Sequence, residues 1–161
     1  MMLAAGCEKQ NESATSPTEI PNAFTANAEI TFRDIYMTAQ ITKSADNELK
    51  IKMLTPEALA PLEISCKNGA CTAAYDGISF SVETNRFPQT EFSLITAQAL
   101  EYAGANVELK KSVSEEKISY QGSTDSGVFV LTQDEKSGAL LDLSVEGAQL
   151  HIVFKDFKKH N

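Results

Sequence analysis

Three cysteines and two histidines are the residues of this chain that most readily do chemistry. The first thiol, Cys7, stands behind Leu3-Ala4-Ala5-Gly6. Small residues ahead of a cysteine suit a signal peptidase that cuts before a thiol carrying diacylglycerol, and the run resembles the end of a bacterial lipobox. Only Met1 to Gly6 precede it, whereas a secretory signal needs a charged start and an apolar core of about 7–15 residues. From Glu8 to Asn22 the chain is mostly Ser, Thr, Asn, Glu and Pro, and such a composition buries too little to order itself. The expectation is a truncated lipoprotein signal and flexible tether over residues 1–22, with lipidation at Cys7, and a single domain over residues 23–161. The plainer reading is a polar tail with an ordinary thiol.

The other two thiols lie in Ile64-Ser65-Cys66-Lys67-Asn68-Gly69-Ala70-Cys71. Asn-Gly is the strongest short hairpin signal, because both residues accept the positive φ of a type I′ turn. With Asn68 and Gly69 as the loop, Lys67 faces Ala70 and Cys66 faces Cys71. Counting outward, the cysteines form a non-hydrogen-bonded pair with Cα atoms about 4.5 Å apart, within reach of a disulfide. So short a loop gives about 2 kcal/mol in the chain-entropy picture, enough to pin register more than to hold the fold. The alternative is two reduced side chains sharing one strand face. A disulfide agrees with export. No metal site is expected, since only His151 and His160 could join these thiols and both lie far down the chain.

Catalysis finds little support. His151 falls on an apparent strand and His160 near the C-terminus, where Asp156 reads as part of a solvated end. Glu115-Glu116 reads as a solvated turn. No G-x-S-x-G, H-E-x-x-H, P-loop or dinucleotide fingerprint occurs, so neither an enzyme nor a cofactor is expected. The formal net charge of −8 argues against nucleic acid and anionic membrane surfaces, which proteins meet with Lys and Arg clusters. No stretch reaches the roughly 18 apolar residues of a spanning helix. Membrane attachment would therefore run through a lipid on Cys7, as an anchor rather than a span.

The elements that would position these groups are mostly strands. Ala28, Ile30 and Phe32 share one face; after Arg33-Asp34 the phase flips, and Ile35, Met37, Ala39 and Ile41 share the next, which marks a turn or a bulge. Leu49, Ile51 and Met53 alternate with Lys50 and Lys52. Thr55-Pro56-Glu57-Ala58-Leu59-Ala60-Pro61 allows one helical turn. Asp76-Gly77 turns the chain into a strand with Ile78, Phe80 and Val82 on one face. The period then changes: from Pro88 to Gly104, Phe92, Ile95, Ala99, Tyr102 and Ala103 share a helical face, with Thr90 the expected N-cap and Gly104 the stop. Leu94 and Leu100 lie off that face, so the helix wants cover on more than one side. Strands resume at Val107 to Leu109, Ile118 to Tyr120 and Val128 to Leu131, then with Leu141, Leu143 and Val145, then with Leu150, Ile152 and Phe154. Eight to ten antiparallel strands and one or two helices give a mainly β protein, with no βαβ alternation.

In order, a tethered cysteine, a long meander, P-E-A-L-A-P-L-E-I, Y-D-G-I-S-F-S-V, T-E-F-S-L-I-T-A-Q-A-L, and T-Q-D-E-K-S-G-A-L-L-D-L-S-V followed by L-H-I-V-F-K-D-F resemble the LolA/LolB-type lipoprotein carriers over most of residues 24–157. That resemblance implies a curved antiparallel sheet forming an incomplete barrel, with a helix in its concave face and room for acyl chains between them. Candidate lining residues are Ile30, Phe32, Met37, Ile51, Phe80, Phe92 and Ile95, each of which would serve equally as plain core. The family's buried, lid-gating arginine has no matching run here, where Arg33 and Arg86 are the only arginines. The expected protein is a monomeric lipoprotein of the bacterial cell envelope, extracytoplasmic, binding a lipid or acyl chain and serving lipid or lipoprotein trafficking. The other reading is a surface-anchored module that binds a protein partner through a sheet edge or the convex face.

Overall fold

Alternation at period two runs through most of the chain, and the computed structural model turns it into one antiparallel sheet. The structure describes residues 20–81, 87–105 and 108–161. Cys7, nearly all of the expected tether, Val82, Arg86 and Val107 lie outside the described residues. The strands are β1 (Phe24–Phe32), β2 (Ile35–Lys43), β3 (Leu49–Thr55), β4 (Leu62–Lys67), β5 (Ala70–Tyr75), β6 (Ile78–Ser81), β7 (Lys110–Ser114), β8 (Lys117–Thr124), β9 (Gly127–Asp134), β10 (Leu140–Val145) and β11 (Leu150–Lys159). Among the described residues there are eleven strands rather than eight to ten, in the order β6-β5-β4-β3-β2-β1-β11-β10-β9-β8-β7. The chain thus starts at the middle of the sheet, walks to one edge, crosses by the helix α1 (Pro88–Gly104) to the other edge, and walks back until β11 pairs with β1. The ends β6 and β7 do not meet, so the barrel stays open, as the fold-class expectation had it.

Two-residue turns set the registers. Phe32 faces Ile35 across Arg33-Asp34, Lys67 faces Ala70 across Asn68-Gly69, and Tyr75 faces Ile78 across Asp76-Gly77. Asn68 and Gly69 both take positive φ (52° and 77°), as the type I′ reading requires. Because side chains alternate, these registers bring Ile30, Phe32, Met37, Ile41, Ile51, Met53, Phe129, Leu131, Leu143 and Ile152 to one concave face. There they pack against Phe92, Ile95, Ala99, Leu100 and Ala103 of α1. Gly122 serves this packing: a Cβ there would stand 2.6 Å from the ring of Phe129, its cross-strand partner, so only glycine lets that ring lie over the backbone.

The helix begins differently from the sequence expectation. Phe87 is the N-cap in extended conformation and Pro88 opens the first turn, where its missing N–H costs nothing. Thr90 is therefore already inside the helix, and its hydroxyl donates to the Phe87 carbonyl at 2.9 Å instead of capping. The buried hydroxyls of Ser93 and Thr96 likewise donate one turn back, to the carbonyls of Gln89 (2.6 Å) and Phe92 (2.7 Å), which satisfies them inside the core. Leu100 is buried in the main core, and Leu94 packs on a satellite cluster under β4 and β5, so the helix is covered on two sides.

Two further details depart from the sequence reading. In β10 a register shift between Leu140 and Asp142 changes the phase, so that Leu140 joins Leu143 and Val145 in the core and Leu141 is left half-buried. β7 starts at Lys110, while Leu109 stands before it and packs against the core from the connecting segment.

Candidate functional site

Six of the seven lining candidates come together in the hollow under α1. Ile30, Phe32, Met37, Ile51, Phe92 and Ile95 are all buried in one cluster, with the Phe32 and Phe92 rings 6.2 Å apart. They face one another rather than an open space, so the hollow is occupied by the protein's own side chains.

Phe80 lies elsewhere. It sits on β6, 44% exposed, at an apolar cleft of about 190 Å³ between the sheet and the start of α1. The cleft is lined by Leu59, Leu62, Ala73, Phe80, Phe87, Gln89 and Thr90. Register explains the floor, since Ile64 faces Ala73 and Ala73 faces Phe80, which keeps an inward row running out to the sheet edge. One wall is a short 3₁₀ turn, Glu57–Leu59, held to β5 by the Tyr75 hydroxyl, which donates to the Ala58 carbonyl at 3.0 Å. The opposite wall is Phe87, 53% exposed, in the extended residue that precedes Pro88. Tyr75 and Ile78, 42% and 71% exposed, prolong the apolar strip beyond the cleft. Ligand pockets for small molecules usually measure about 300–1,000 Å³, so this cleft has room only for part of an apolar chain, or one or two apolar side chains.

Sequence reasoning named Phe80 but not the residues beside it in the cleft. Leu59 and Leu62 sit in a proline-bounded run that reads as a mere connector, and Phe87 reads as a residue ahead of a helix. The available signal was the density of apolar residues in positions that neither period assigns to a core.

The cleft has a stiff back wall. Cys66 and Cys71 form the expected disulfide, with Cα atoms 4.1 Å apart, and with Ile64 and Ala73 they make the satellite cluster that Leu62, Leu94 and Ala97 cover. At the far end of that hairpin Lys67 donates to Asp46 at 2.7 Å, tying it to the β2–β3 turn. Bonds from Lys67 and Ser44 hold the Asp46 carboxyl well below the usual carboxylate range, and the same contact raises Lys67. The turns that flank the cleft carry acid, Glu57 in the 3₁₀ turn and Asp76 in the β5–β6 turn, both exposed, while Glu63 on the outward face of β4 stands opposite Lys52 of β3.

Other candidate features do different work. Arg33 pairs with Glu91 at 2.7 Å and lies over the Phe32 ring, joining the β1–β2 turn to the first turn of α1 from the outside. Lys43 is buried, donating to the Asn22 carbonyl (2.9 Å) and Asn47 Oδ1 (3.2 Å); burial pulls its pKa down, with Glu101 partly opposing. It fastens the start of the domain. His160 Nε2 lies 2.8 Å from the Thr25 hydroxyl, and His151 is exposed. Among the described residues no group of His, Cys, Asp or Glu could hold a metal ion, and no helix is long and apolar enough to cross a membrane. A broad depression at the C-terminal end of α1, with Gln98, Tyr102 and the exposed carboxylates Glu101 and Asp125, mixes polar groups into its lining where the cleft is almost wholly apolar.

No protein-family model matches the chain, and no curated protein matches it. Solved structures do. An uncharacterized conserved protein from Thermus thermophilus is similar at 9% identity and a TM-score of 0.49, over 86% of this chain and 79% of that one. A chain from the structure of the CwlD amidase from Clostridioides difficile in complex with the GerS lipoprotein is similar at 13% identity and a TM-score of 0.46, over 85% and 81%. A LolA superfamily protein from Nitrosomonas europaea is similar at 10% identity and a TM-score of 0.45, over 90% and 88%. Each of these likenesses is one of fold alone.

Proposed function

We propose that the protein is an extracytoplasmic binding module, held at a membrane of the bacterial envelope by a lipid on Cys7, that takes an apolar group of its ligand into the rim cleft between β4, β5, β6 and the start of α1. The observation that carries this reading is the contrast between a hollow filled by core side chains and a cleft whose phenylalanines, Phe80 and Phe87, stand half in solvent. Exposed apolar surface of that kind gains roughly 25 cal/mol for each Å² that a ligand removes from water. The task on this reading is binding, since most of the cleft's lining supplies apolar contact area. Export is supported by the Cys66–Cys71 bridge, a bond that persists in oxidising compartments. The lipobox-like run and polar tether support the anchor.

The test is uptake of a fluorescent fatty acid by the purified protein, together with the mass of Cys7 in protein taken from bacterial membranes. Saturable uptake that falls at least about tenfold in Phe80→Glu, where a charge replaces the apolar wall, is the expected result. Absent uptake, or uptake that Phe80→Glu leaves unchanged, contradicts the cleft. An unmodified Cys7 contradicts the anchor.

A further inference from the structure

We infer that the cleft's occupant is an extended polypeptide segment that adds to β6 as a further strand, drops an apolar side chain into the cleft and carries lysine or arginine beside it. This rests on the reading of the cleft as the binding site and specifies the ligand.

The backbone of β6 is the first reason. Tyr75 and Ile78 flank a two-residue turn, so they form a hydrogen-bonded pair, and so do Ala73 and Phe80 two residues on. Ile78 and Phe80 therefore spend their N–H and C=O groups on β5, while those of Ser79 and Ser81 point away from it. Among the described residues β6 ends the sheet, with no strand on its other side. Unpaired edge groups of this kind are a template for strand addition, which natural sheets usually block with charge, above all lysine. Ile78-Ser79-Phe80-Ser81 has none.

The second reason is the row of side chains. A strand laid beside β6 sets its own inward residues next to Ile78 and Phe80 on the concave face, where cross-strand apolar pairs form. The cleft beyond them, about 190 Å³, has room for one or two side chains. Main-chain bonds and alternate side-chain pockets are the two parts of recognition by strand addition.

The third reason is charge. Beside the cleft the acidic side chains are Glu57 and Asp76; Glu63, on the outward face of β4, stands opposite Lys52 of β3, and Lys67 is paired with Asp46 at the far hairpin. Glu57 belongs to the turn that supplies Leu59 to the cleft, and Asp76 sits at the head of β6. An arriving strand with lysine or arginine flanking its apolar residue meets opposite charge, whereas an acidic one, or a second copy of this acidic chain, meets like charge.

The experiment uses the protein with its disulfide intact and a short peptide that alternates threonine with valine and leucine and has lysine at both ends. Fluorescence anisotropy reads affinity, amide hydrogen exchange reads Ser79 and Ser81, and the fluorescent fatty acid reads the cleft independently. Ser79→Pro deletes an outward N–H without touching the β5–β6 ladder. The proposal expects the peptide to bind, to displace the fatty acid and to slow exchange at Ser79 and Ser81. It expects at least about tenfold weaker peptide binding to Ser79→Pro, with fatty-acid uptake kept, and weaker binding when the terminal lysines become glutamates. Fatty-acid uptake without peptide binding, or peptide binding with no slowing at Ser79 and Ser81, overturns the strand and leaves the cleft standing. Failure of both ligands overturns the cleft as well. Sedimentation showing a dimer that slows the same amides assigns the edge to a second copy and also overturns the proposal.

Discussion

One edge of the sheet reads Lys110-Lys111-Ser112-Val113-Ser114 and the other reads Ile78-Ser79-Phe80-Ser81. Both strands are exposed along their whole length, but β7 carries the charges that keep a sheet edge from pairing and β6 carries none. The strands behind them differ in the same sense. Behind β7, Ile118 and Tyr120 of β8 are buried, and the Tyr120 hydroxyl reaches Gln133 at 3.1 Å in a satisfied polar pair. Behind β6, the inward row of β5 ends in half-exposed Tyr75 and an apolar cleft. On the proposed reading the open barrel therefore has one charged rim and one receptive rim. Its middle, where Phe32 and Phe92 meet, belongs to stability.

The largest test of that division compares two phenylalanines. Phe92→Ala empties the middle of the core and is expected to cost about 3–5 kcal/mol in denaturant unfolding, because the surroundings collapse only partly around the lost ring. Phe80→Ala, at the receptive rim, is expected to cost under about 1 kcal/mol. Equal losses would erase the distinction between core and rim.

The disulfide gives the next effect. Replacing Cys66 and Cys71 together by serine is expected to lower stability by about 2 kcal/mol. The accompanying rise in amide exchange should concentrate in β4, β5 and β6, because the bridge stiffens the cleft's back wall and belongs to the satellite cluster rather than the main core. Exchange that rises evenly across all eleven strands would remove the difference between the two rims.

The smallest effect is electrostatic and local. Asp46 is held by Lys67 and Ser44, so its folded pKa is depressed. Its contribution is complete above the ordinary carboxylate pKa, near 4, and is lost as pH falls through the lower folded value. The Asp46 carboxyl carbon should titrate in NMR below the ordinary range and move back up in Lys67→Ala. Since both groups are exposed, added salt should weaken the effect without unfolding the protein. An Asp46 midpoint indifferent to Lys67→Ala would remove the tie between the two hairpins.

Much of this was legible in the sequence where a local rule decides the outcome. Asn68-Gly69 placed Cys66 opposite Cys71 because turn length fixes register, and strict alternation in Leu49, Ile51 and Met53 gave an inward face. Local rules failed where a neighbour had the deciding vote. Thr90 has the chemistry of a cap, yet Pro88 starts the helix earlier. Leu141 alternates with Leu143, yet a bulge against β9 turns it half outward. The cleft was harder still, because Leu59, Leu62, Phe80 and Phe87 come from four segments that only the sheet's register and the turn at Ala58 bring together. Phe80 carries the same alternation signal as Phe32; that one is exposed and the other buried depends on how far α1 reaches across the sheet, a tertiary quantity.

Ligands, on this reading, meet the protein at its β6 rim and not in its hollow. Methyl and aromatic NMR spectra recorded while a fluorescent fatty acid is titrated into the protein separate the two places residue by residue. Binding at the rim gives saturable shifts at Leu59, Leu62, Phe80 and Phe87, with Met37, Ile51, Phe32 and Phe92 unmoved, and that is the expected result. Shifts centred on Met37, Ile51, Phe32 and Phe92 would contradict it, since they would mean that the packed middle opens to take the chain.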